Sequence, residues 1–310
     1  MQKTFHIIGA GKVGHTLALL LQQQGWQLAA VVSRSGRALW ADHCGGRIVP
    51  CIADLPRADV LIISTPDDAI AAAAQEAAAL PWLHGGVLAL HLSGAKSAAA
   101  LDVLAARGVR TGSLHPVFAF ADVAAAVRTL PGRLCALEAP DAAALAGLQE
   151  VAAALGLRAF EMPSEQKARY HAALSAASNF SVALAAYAQN LLQPLALPEA
   201  LSRELVVNLM RQSVDNVAAM PPAAALTGPI VRGDEGTVAA HLAALSAVER
   251  EAYVAWARQT LILAAARQDD EAYARVAKVL ACGEVAQDRA GAGRLMLGDM
   301  RSSASFSAGL

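Results

Sequence analysis

A glycine-rich turn near the start constrains this chain more than any other feature. Phe5-His6-Ile7-Ile8 has the apolar density of a buried strand, and Gly9-Ala10-Gly11-Lys12-Val13-Gly14 follows it at once. Lys12 to Gln24 then carries a helical pattern that stops at Gly25. A G-x-G-x-x-G run between strand and helix has a mechanical reading. The first glycine permits a tight turn. The second lets backbone approach a pyrophosphate without a Cβ in the way, and the third lets helix lie close on strand. First-turn amides and the helix dipole then face the phosphates. The turn predicts a Rossmann-type unit with Gly9, Ala10, Gly11, Lys12, Val13 and Gly14 at a dinucleotide.

The chain beyond the turn keeps alternating short apolar runs with helical stretches, as βαβ units do. Strands are expected at Gln27 to Val32, Arg47 to Cys51, Asp59 to Ser64, Gly86 to Leu92, Arg110 to Leu114, Arg133 to Leu137 and Leu157 to Glu161. Helices are expected at Asp67 to Ala79, Ser97 to Arg107 and Asp141 to Leu155. After Pro163 the pattern changes to one long helical segment, Ser164 to Leu192, and helices dominate until about Cys282. Breaks are expected at Pro194 to Pro198, Pro221-Pro222 and Thr227 to Gly233. The predicted fold is a doubly wound parallel α/β sheet followed by an all-α C-terminal domain. Its parts are a cofactor domain over 1–162, a helical substrate and dimerisation domain over 163–287, and a loosely ordered tail over 288–310. Two domains suit 310 residues, 55% of them apolar.

The end of the second strand selects the cofactor. An NAD site usually places an Asp or Glu there for the ribose 2′-OH. Ser33-Arg34-Ser35 stands there instead, and a guanidinium with two hydroxyls suits a 2′-phosphate. The expected cofactor is NADP(H). Thr65-Pro66, closing the fourth strand, either lines the nicotinamide ribose or simply ends the strand.

Hydride transfer asks the protein for position, a proton donor or acceptor and a dry pocket. Ser93 and His115 both fall near the carboxyl edge of the sheet. His115 suits proton exchange near neutral pH, or it is locked in a turn by a backbone bond. Ser93 either orients substrate or caps the following helix. Lys167, His171, Leu174, Ser175 and Ser178 recur at three- and four-residue steps and share a helix face, with Asn179 beside them. His6 and His91 alternate within strands and read as structural. Farther on, Thr227-Gly228-Pro229-Ile230-Val231-Arg232-Gly233-Asp234 fixes a loop between helices that is a candidate substrate lining. Arg232 either clamps an anionic substrate group or pairs with Asp234 or Glu235.

Several classes are excluded as expectations. A net charge of -1 and a pI of 6.7 give no field for nucleic acid or an anionic membrane. The alanine runs never reach the unbroken apolar length of a membrane span, and residues 1–10 lack a secretory signal. Cys44, Cys51, Cys135 and Cys282 have no C-x-x-C spacing, and no cluster has metal-ligand spacing. The reading is a cytoplasmic protein without metal.

The motifs together carry a resemblance. G-A-G-K-V-G near the start, L-H-P-V-F-A-F at Leu114 to Phe120, K-A-R-Y-H-A-A through S-N at Lys167 to Asn179, and T-G-P-I-V-R-G-D at Thr227 to Asp234 resemble an uncharacterised family. Its members are bacterial Rossmann-like oxidoreductases whose C-terminal half is a domain of unknown function. More distantly the chain is similar to 6-phosphogluconate dehydrogenase, pyrroline-5-carboxylate reductase, prephenate dehydrogenase and the NADP reductases of a deazaflavin coenzyme. That likeness implies a Rossmann domain joined to a helical, dimerising domain. Prephenate dehydrogenases carry a catalytic His before a Pro and a Ser at a strand end, places matched by His115 and Ser93. β-Hydroxyacid dehydrogenases carry Lys and Asn four residues apart, where this chain has Lys167 and His171 without the preceding glycines.

These readings converge on an NADP(H)-dependent oxidoreductase. It would move hydride to or from a C–O or C–N centre of a small polar substrate in an interdomain cleft, as a homodimer. His115 or His171 would manage the proton, with Lys167 a further candidate. Ser93 and Asn179 would orient the substrate. The alternative is a redox sensor or scaffold that binds NADP(H) without turnover.

Overall fold

The computed structural model describes residues 2–288, apart from 34, 35, 37 and 39. Arg34 and Ser35 of the expected cofactor site lie outside the described residues, as does the expected tail from 289 onward. The chain forms two compact units, one reaching to Val182 and one beginning at Ala183. The expected domain boundary at 162 falls within the first of them.

The first unit runs β1 (Thr4–Ile8), α1 (Lys12–Gln23), β2 (Gln27–Val32), α2 (Trp40–His43), β3 (Arg47–Val49), β4 (Val60–Ile63), α3 (Ile70–Ala77) and β5 (Leu88–His91). It continues with α4 (Asp102–Ala105), β6 (Arg110–Pro116), α5 (Val123–Thr129), β7 (Leu134–Glu138), α6 (Ala142–Ala154), β8 (Arg158–Glu161) and α7 (Lys167–Ala177). Among the described residues these strands make one sheet in the order β3-β2-β1-β4-β5-β6-β7-β8. The chain leaves β1 toward β3 on one side and returns to β4 on the other. The crevice where dinucleotides bind in such sheets therefore opens at the carboxyl ends of β1 and β4.

The sequence suggested a parallel sheet, but the sheet is not parallel throughout. β7 runs antiparallel to β6, and β8 follows β7. A parallel neighbour needs a crossover that carries the chain back to the strand's start. Here the Val117 N–H donates to the Leu134 carbonyl at 2.9 Å, so β7 begins where β6 ends. The intervening α5, which the periodicity missed, is only 7 residues long and is capped by Asp122, whose carboxylate accepts from the Ala125 N–H.

Burial explains the uninterrupted apolar strands. Along β4, Val60 and Ile62 join the core beneath α1, while Leu61 and Ile63 join the core beneath α3. A strand covered on both faces by helices needs no polar alternation. Each such Leu or Ile withdrawn from water contributes about 1.5–3 kcal/mol.

α8 (Asn179–Leu191) crosses into the second unit, which continues with α9 (Glu199–Ala219), α10 (Pro222–Ala225), α11 (Glu235–Ala244), α12 (Ala247–Ala264) and α13 (Asp270–Asp288). Its core gathers Ile230, Val238, Leu242, Val254, Leu261, Val276 and Leu280. The breaks fall where proline and glycine demanded them. Pro198 and Pro221 precede α9 and α10, and Gly228 and Gly233 take φ of 103° and 69° in the loop before α11. Among the described residues no helix is long and apolar enough to cross a membrane.

The helix expected to run unbroken from Ser164 to Leu192 is interrupted. A 3-10 turn over Ser164–Gln166 leads into α7, and Ser178 separates α7 from α8. At this break the Ser181 hydroxyl donates to the Ala177 carbonyl at 2.9 Å, a side-chain bond that competes with the helical ladder.

Candidate functional site

The three glycines of the first turn do three different things. Gly9 has φ of 106°, and a Cβ there would lie 2.6 Å from the Ser64 carbonyl oxygen. Gly14 packs so tightly that its Cβ would meet the Gly9 carbonyl at 2.8 Å. At Gly11 a Cβ would meet nothing within 4 Å. Gly9 and Gly14 are thus required by the protein's own packing. Gly11 faces open space, as a position kept clear for a ligand does. Gly11 also caps α1 without offering a side chain to the first-turn amides.

Two cavities flank this turn. One, of about 560 Å³, touches Gly9, Gly11, Ser33, Cys51 and Pro66. The other, of about 210 Å³, touches Val13, Leu92, Ser93, His115, Phe118 and Phe120. Ser64 and Thr65 line both, so the two cavities adjoin along the carboxyl edge. Both hydroxyls are buried and have no hydrogen-bond partner among the described residues. An orphaned buried hydroxyl costs about 1–3 kcal/mol unless a ligand or water meets it. The groove, the clear space at Gly11 and these hydroxyls fit a dinucleotide. Lys12 contributes backbone alone, because its ammonium donates to the Ala121 carbonyl at 2.6 Å. The Ala10 carbonyl accepts from the Trp40 indole at 3.3 Å, which braces the turn from outside.

The second cavity ends on the candidate chemistry. His115 lies within β6, which ends at Pro116, two residues beyond its expected stop at Leu114. Its Nδ1 is 2.9 Å from the Tyr170 hydroxyl, and its ring centre is 6.2 Å from that of His171. Gly94 lets these groups converge. A Cβ on it would fall 2.7 Å from His115 Cε1 and Nε2 and 2.8 Å from His171 Cδ2. Burial, then the Lys167 charge, pulls the His115 ring down to about 4. Phe118 and Phe120 pack edge to face at 5.1 Å and give the cavity an apolar wall.

Lys167 holds this arrangement from behind. Its ammonium is 3.0 Å from Glu138 Oε2, with side chains only 2% and 3% exposed, and it also donates to the Ser113 hydroxyl. Ser113 in turn donates to the Ser93 carbonyl at 3.3 Å. Glu138 Oε1 accepts from the Ala98 N–H at 2.9 Å and the Ser164 hydroxyl at 2.6 Å. Burial works against the Glu138 charge, but Ser164, Ala98 and Lys167 together hold its carboxyl below the usual range. Burial likewise draws the Lys167 ammonium below its ordinary value, opposed by Glu138. This network ties α7 to the ends of β5, β6 and β7. Tyr170 and His171, three and four residues after Lys167, share its helix face and so reach His115.

The other candidates divide. Ser93 is buried, and its hydroxyl accepts from the Ala95 and Lys96 N–H groups at 3.1 and 2.9 Å, which holds a turn ahead of the next helical segment, whose cap position is Ser97. His6 and His91 are fully buried and bonded to the Pro56 and Ser97 carbonyls at 2.7 and 3.0 Å. Asn179 is exposed at the start of α8. Thr227, Gly228 and Arg232 sit in the loop of the helical unit, with Thr227 and Arg232 exposed. Asp234 caps α11 through Thr237, whose bonds, with the Arg232 charge, hold its carboxyl below the usual carboxylate range. The sequence reading passed over Ser64, Ser113, Glu138 and Tyr170. Tyr170 was visible within the K-A-R-Y-H run, three residues after Lys167, and Glu138 as a carboxylate closing an apolar strand.

Residues 2–116 match a Rossmann-like domain, and residues 133–260 match a domain of unknown function, DUF2520. The chain joins these two domains. Strand β7, with Glu138, and helix α7, with Lys167, Tyr170 and His171, fall within the DUF2520 match yet belong to the sheet unit. The groove's glycines, Ser64, Thr65, Ser93 and His115 fall within the Rossmann-like match. No protein of curated function matches the sequence. Among solved structures, a candidate NADP oxidoreductase from Bacteroides fragilis is 23% identical, with 85% of this chain and 96% of that chain covered at a TM-score of 0.67. A protein from Thermotoga maritima is 25% identical, with 90% and 99% covered and a TM-score of 0.61. A reductive aminase from Aspergillus terreus in complex with NADPH and ethyl levulinate is 17% identical, with 94% and 95% covered and a TM-score of 0.59. The Rossmann-like domain therefore shares its fold with NADP oxidoreductases, whose bound NADPH is a property of those proteins.

Proposed function

We propose that the protein is an NADP(H)-dependent oxidoreductase acting on a C–O or C–N centre of a small polar molecule. One observation carries the reading: two adjoining cavities that share the unpartnered Ser64 and Thr65 hydroxyls reach from the ligand-clear Gly11 turn to His115. The first-turn amides after Gly9, Ala10 and Gly11 would hold the pyrophosphate, and Ser33 and Arg34 the 2′-phosphate end. Fold neighbours bound to NADPH support this choice. The nicotinamide supplies or accepts the hydride. His115 hydrogen-bonds the reacting oxygen or nitrogen, His171 stands beside it, and Phe118 and Phe120 keep water away.

The proposal extends to assembly as a homodimer through α9. Leu201, Leu205 and Leu209 recur every four residues on that helix and are exposed, and a net charge of -1 sets little repulsion between two copies.

Calorimetry with NADPH and NADH tests the cofactor. Tighter NADPH binding is expected, and Arg34→Ala should weaken NADPH while sparing NADH. A protein that binds neither refutes the reading. Carbonyl and imine compounds screened for NADPH oxidation test the reaction. His115→Asn should keep NADPH affinity and lower turnover by roughly 10²–10⁴.

A further inference from the structure

The two ring nitrogens of His115 have different surroundings. Nδ1 faces the Tyr170 hydroxyl at 2.9 Å, with the ring planes at 88°. The opposite edge, Cε1 and Nε2, stands against Gly94 beside the cavity that His115 and Ser93 line. Nε2 has no hydrogen-bond partner among the described residues.

A neutral imidazole carries one N–H, and the two placements are not equivalent here. If Nδ1 held the proton it would donate to the phenol oxygen. The phenol's own proton would then need a second acceptor, and the described residues supply none. If the phenol donates to Nδ1, the ring N–H sits on Nε2, and the one donor left over lies at the cavity that His115 lines, where a ligand or water can accept from it. Burial, then Cys135, pushes the Tyr170 hydroxyl up to about 12, so it keeps its proton as a donor. Burial, then Lys167 and His171, keeps the ring neutral at physiological pH, while Asp67 opposes them weakly.

We propose that Tyr170 is a positioning residue that holds His115 as its Nε2–H tautomer, so that the ring offers a hydrogen-bond donor to a carbonyl oxygen beside Gly94. The inference rests on reading the groove as an oxidoreductase site, and it narrows the substrate class. A carbonyl oxygen has lone pairs for an Nε2–H donor. A protonated imine presents only its own N–H, donor against donor. Of the two centres considered above, the arrangement selects the carbonyl in the direction of reduction.

The test uses the full-length protein labelled with ¹⁵N-histidine, observed by long-range proton–nitrogen correlation near neutral pH. The His115 signals are assigned by their loss in His115→Asn. The expected wild-type signature is an unprotonated Nδ1 with a protonated Nε2. Tyr170→Phe should shift His115 toward the mixed tautomers of free imidazole and leave the other histidines in place. Fluorotyrosine incorporation, which strengthens the phenol as a donor without removing it, should shift the Nδ1 signal even if Tyr170→Phe fails to fold. A protonated Nδ1 in the wild type, or an Nδ1 signal unmoved by either change, overturns the proposal. NADPH calorimetry on the same samples separates the two ideas. Binding with the wrong tautomer overturns this inference alone, whereas the expected tautomer without binding overturns the functional reading and the carbonyl assignment with it.

Discussion

Strands β4 and β5 of the sheet unit bury every residue, whereas α9, the longest helix beyond Ala183, buries only Val206. Leu209 on that helix is 65% exposed. A sheet with helices on both faces completes its cores within one chain. The helical unit has one small core and leaves an apolar face outside it. The first unit accordingly places polar side chains inside, on internal ties and a groove, while the second presents exposed leucines along α9.

That contrast can be broken most forcefully at Lys167. Lys167→Met leaves Glu138 buried without its partner and should cost about 3–5 kcal/mol in denaturant unfolding. Adding Glu138→Gln should recover part of the loss. A single variant as stable as wild type would mean that the pair does not anchor α7.

Acid should weaken the sheet unit next. His91 and His115 sit at about 4 when folded, against an ordinary 6.5. Between those values the unfolded chain binds more protons, so stability is full above about 6.5 and falls as the pH drops toward 4. The depressed Glu138 carboxyl adds a loss of the same sign at lower pH. For fully buried His91 the effect is on the order of 2–3 kcal/mol. Thermal melts across this range check it, and a Tm flat from neutral to pH 4 contradicts the buried neutral rings.

The helical unit should respond instead to concentration. Its Tm should rise with protein concentration, and Leu209→Glu should remove that dependence and yield monomers in sedimentation, a change of about 2 kcal/mol per protomer. Monomeric wild type would leave the α9 face without a second copy.

The smallest effect separates folding from binding. Gly11→Ala meets no protein atom within 4 Å and should leave Tm unchanged while weakening NADPH about tenfold, roughly 1.4 kcal/mol. Gly9→Ala, at φ of 106° and 2.6 Å from Ser64, should instead lower Tm. If Gly11→Ala binds NADPH normally, the clear space at the turn is not a phosphate cradle.

Much of this was legible in residue order. The glycine turn, the buried β4 run and the proline breaks are local signals, and their elements lie within a few residues of the expected places. The reversal of β7 was not legible, because strand direction follows from how a connection closes in space. The role of Lys167 was only half visible. Its helix face was readable from spacing, but its partner Glu138 is 29 positions away in sequence and met only through strand pairing of β6 with β7. Tyr170 was passed over for the same reason, since its partner His115 lies on another element.

By itself the sequence determined a dinucleotide-type turn, an α/β unit before a helical one, and the residues from which a site could be drawn. Those follow from local backbone freedom, capping and apolar period, which act over a few residues. Only the tertiary structure decided which glycine packs and which stays open, that Lys167 meets Glu138, and that His115 turns one nitrogen to Tyr170 and the other to Gly94. Such facts depend on distances between segments far apart in the chain, and those are set by packing.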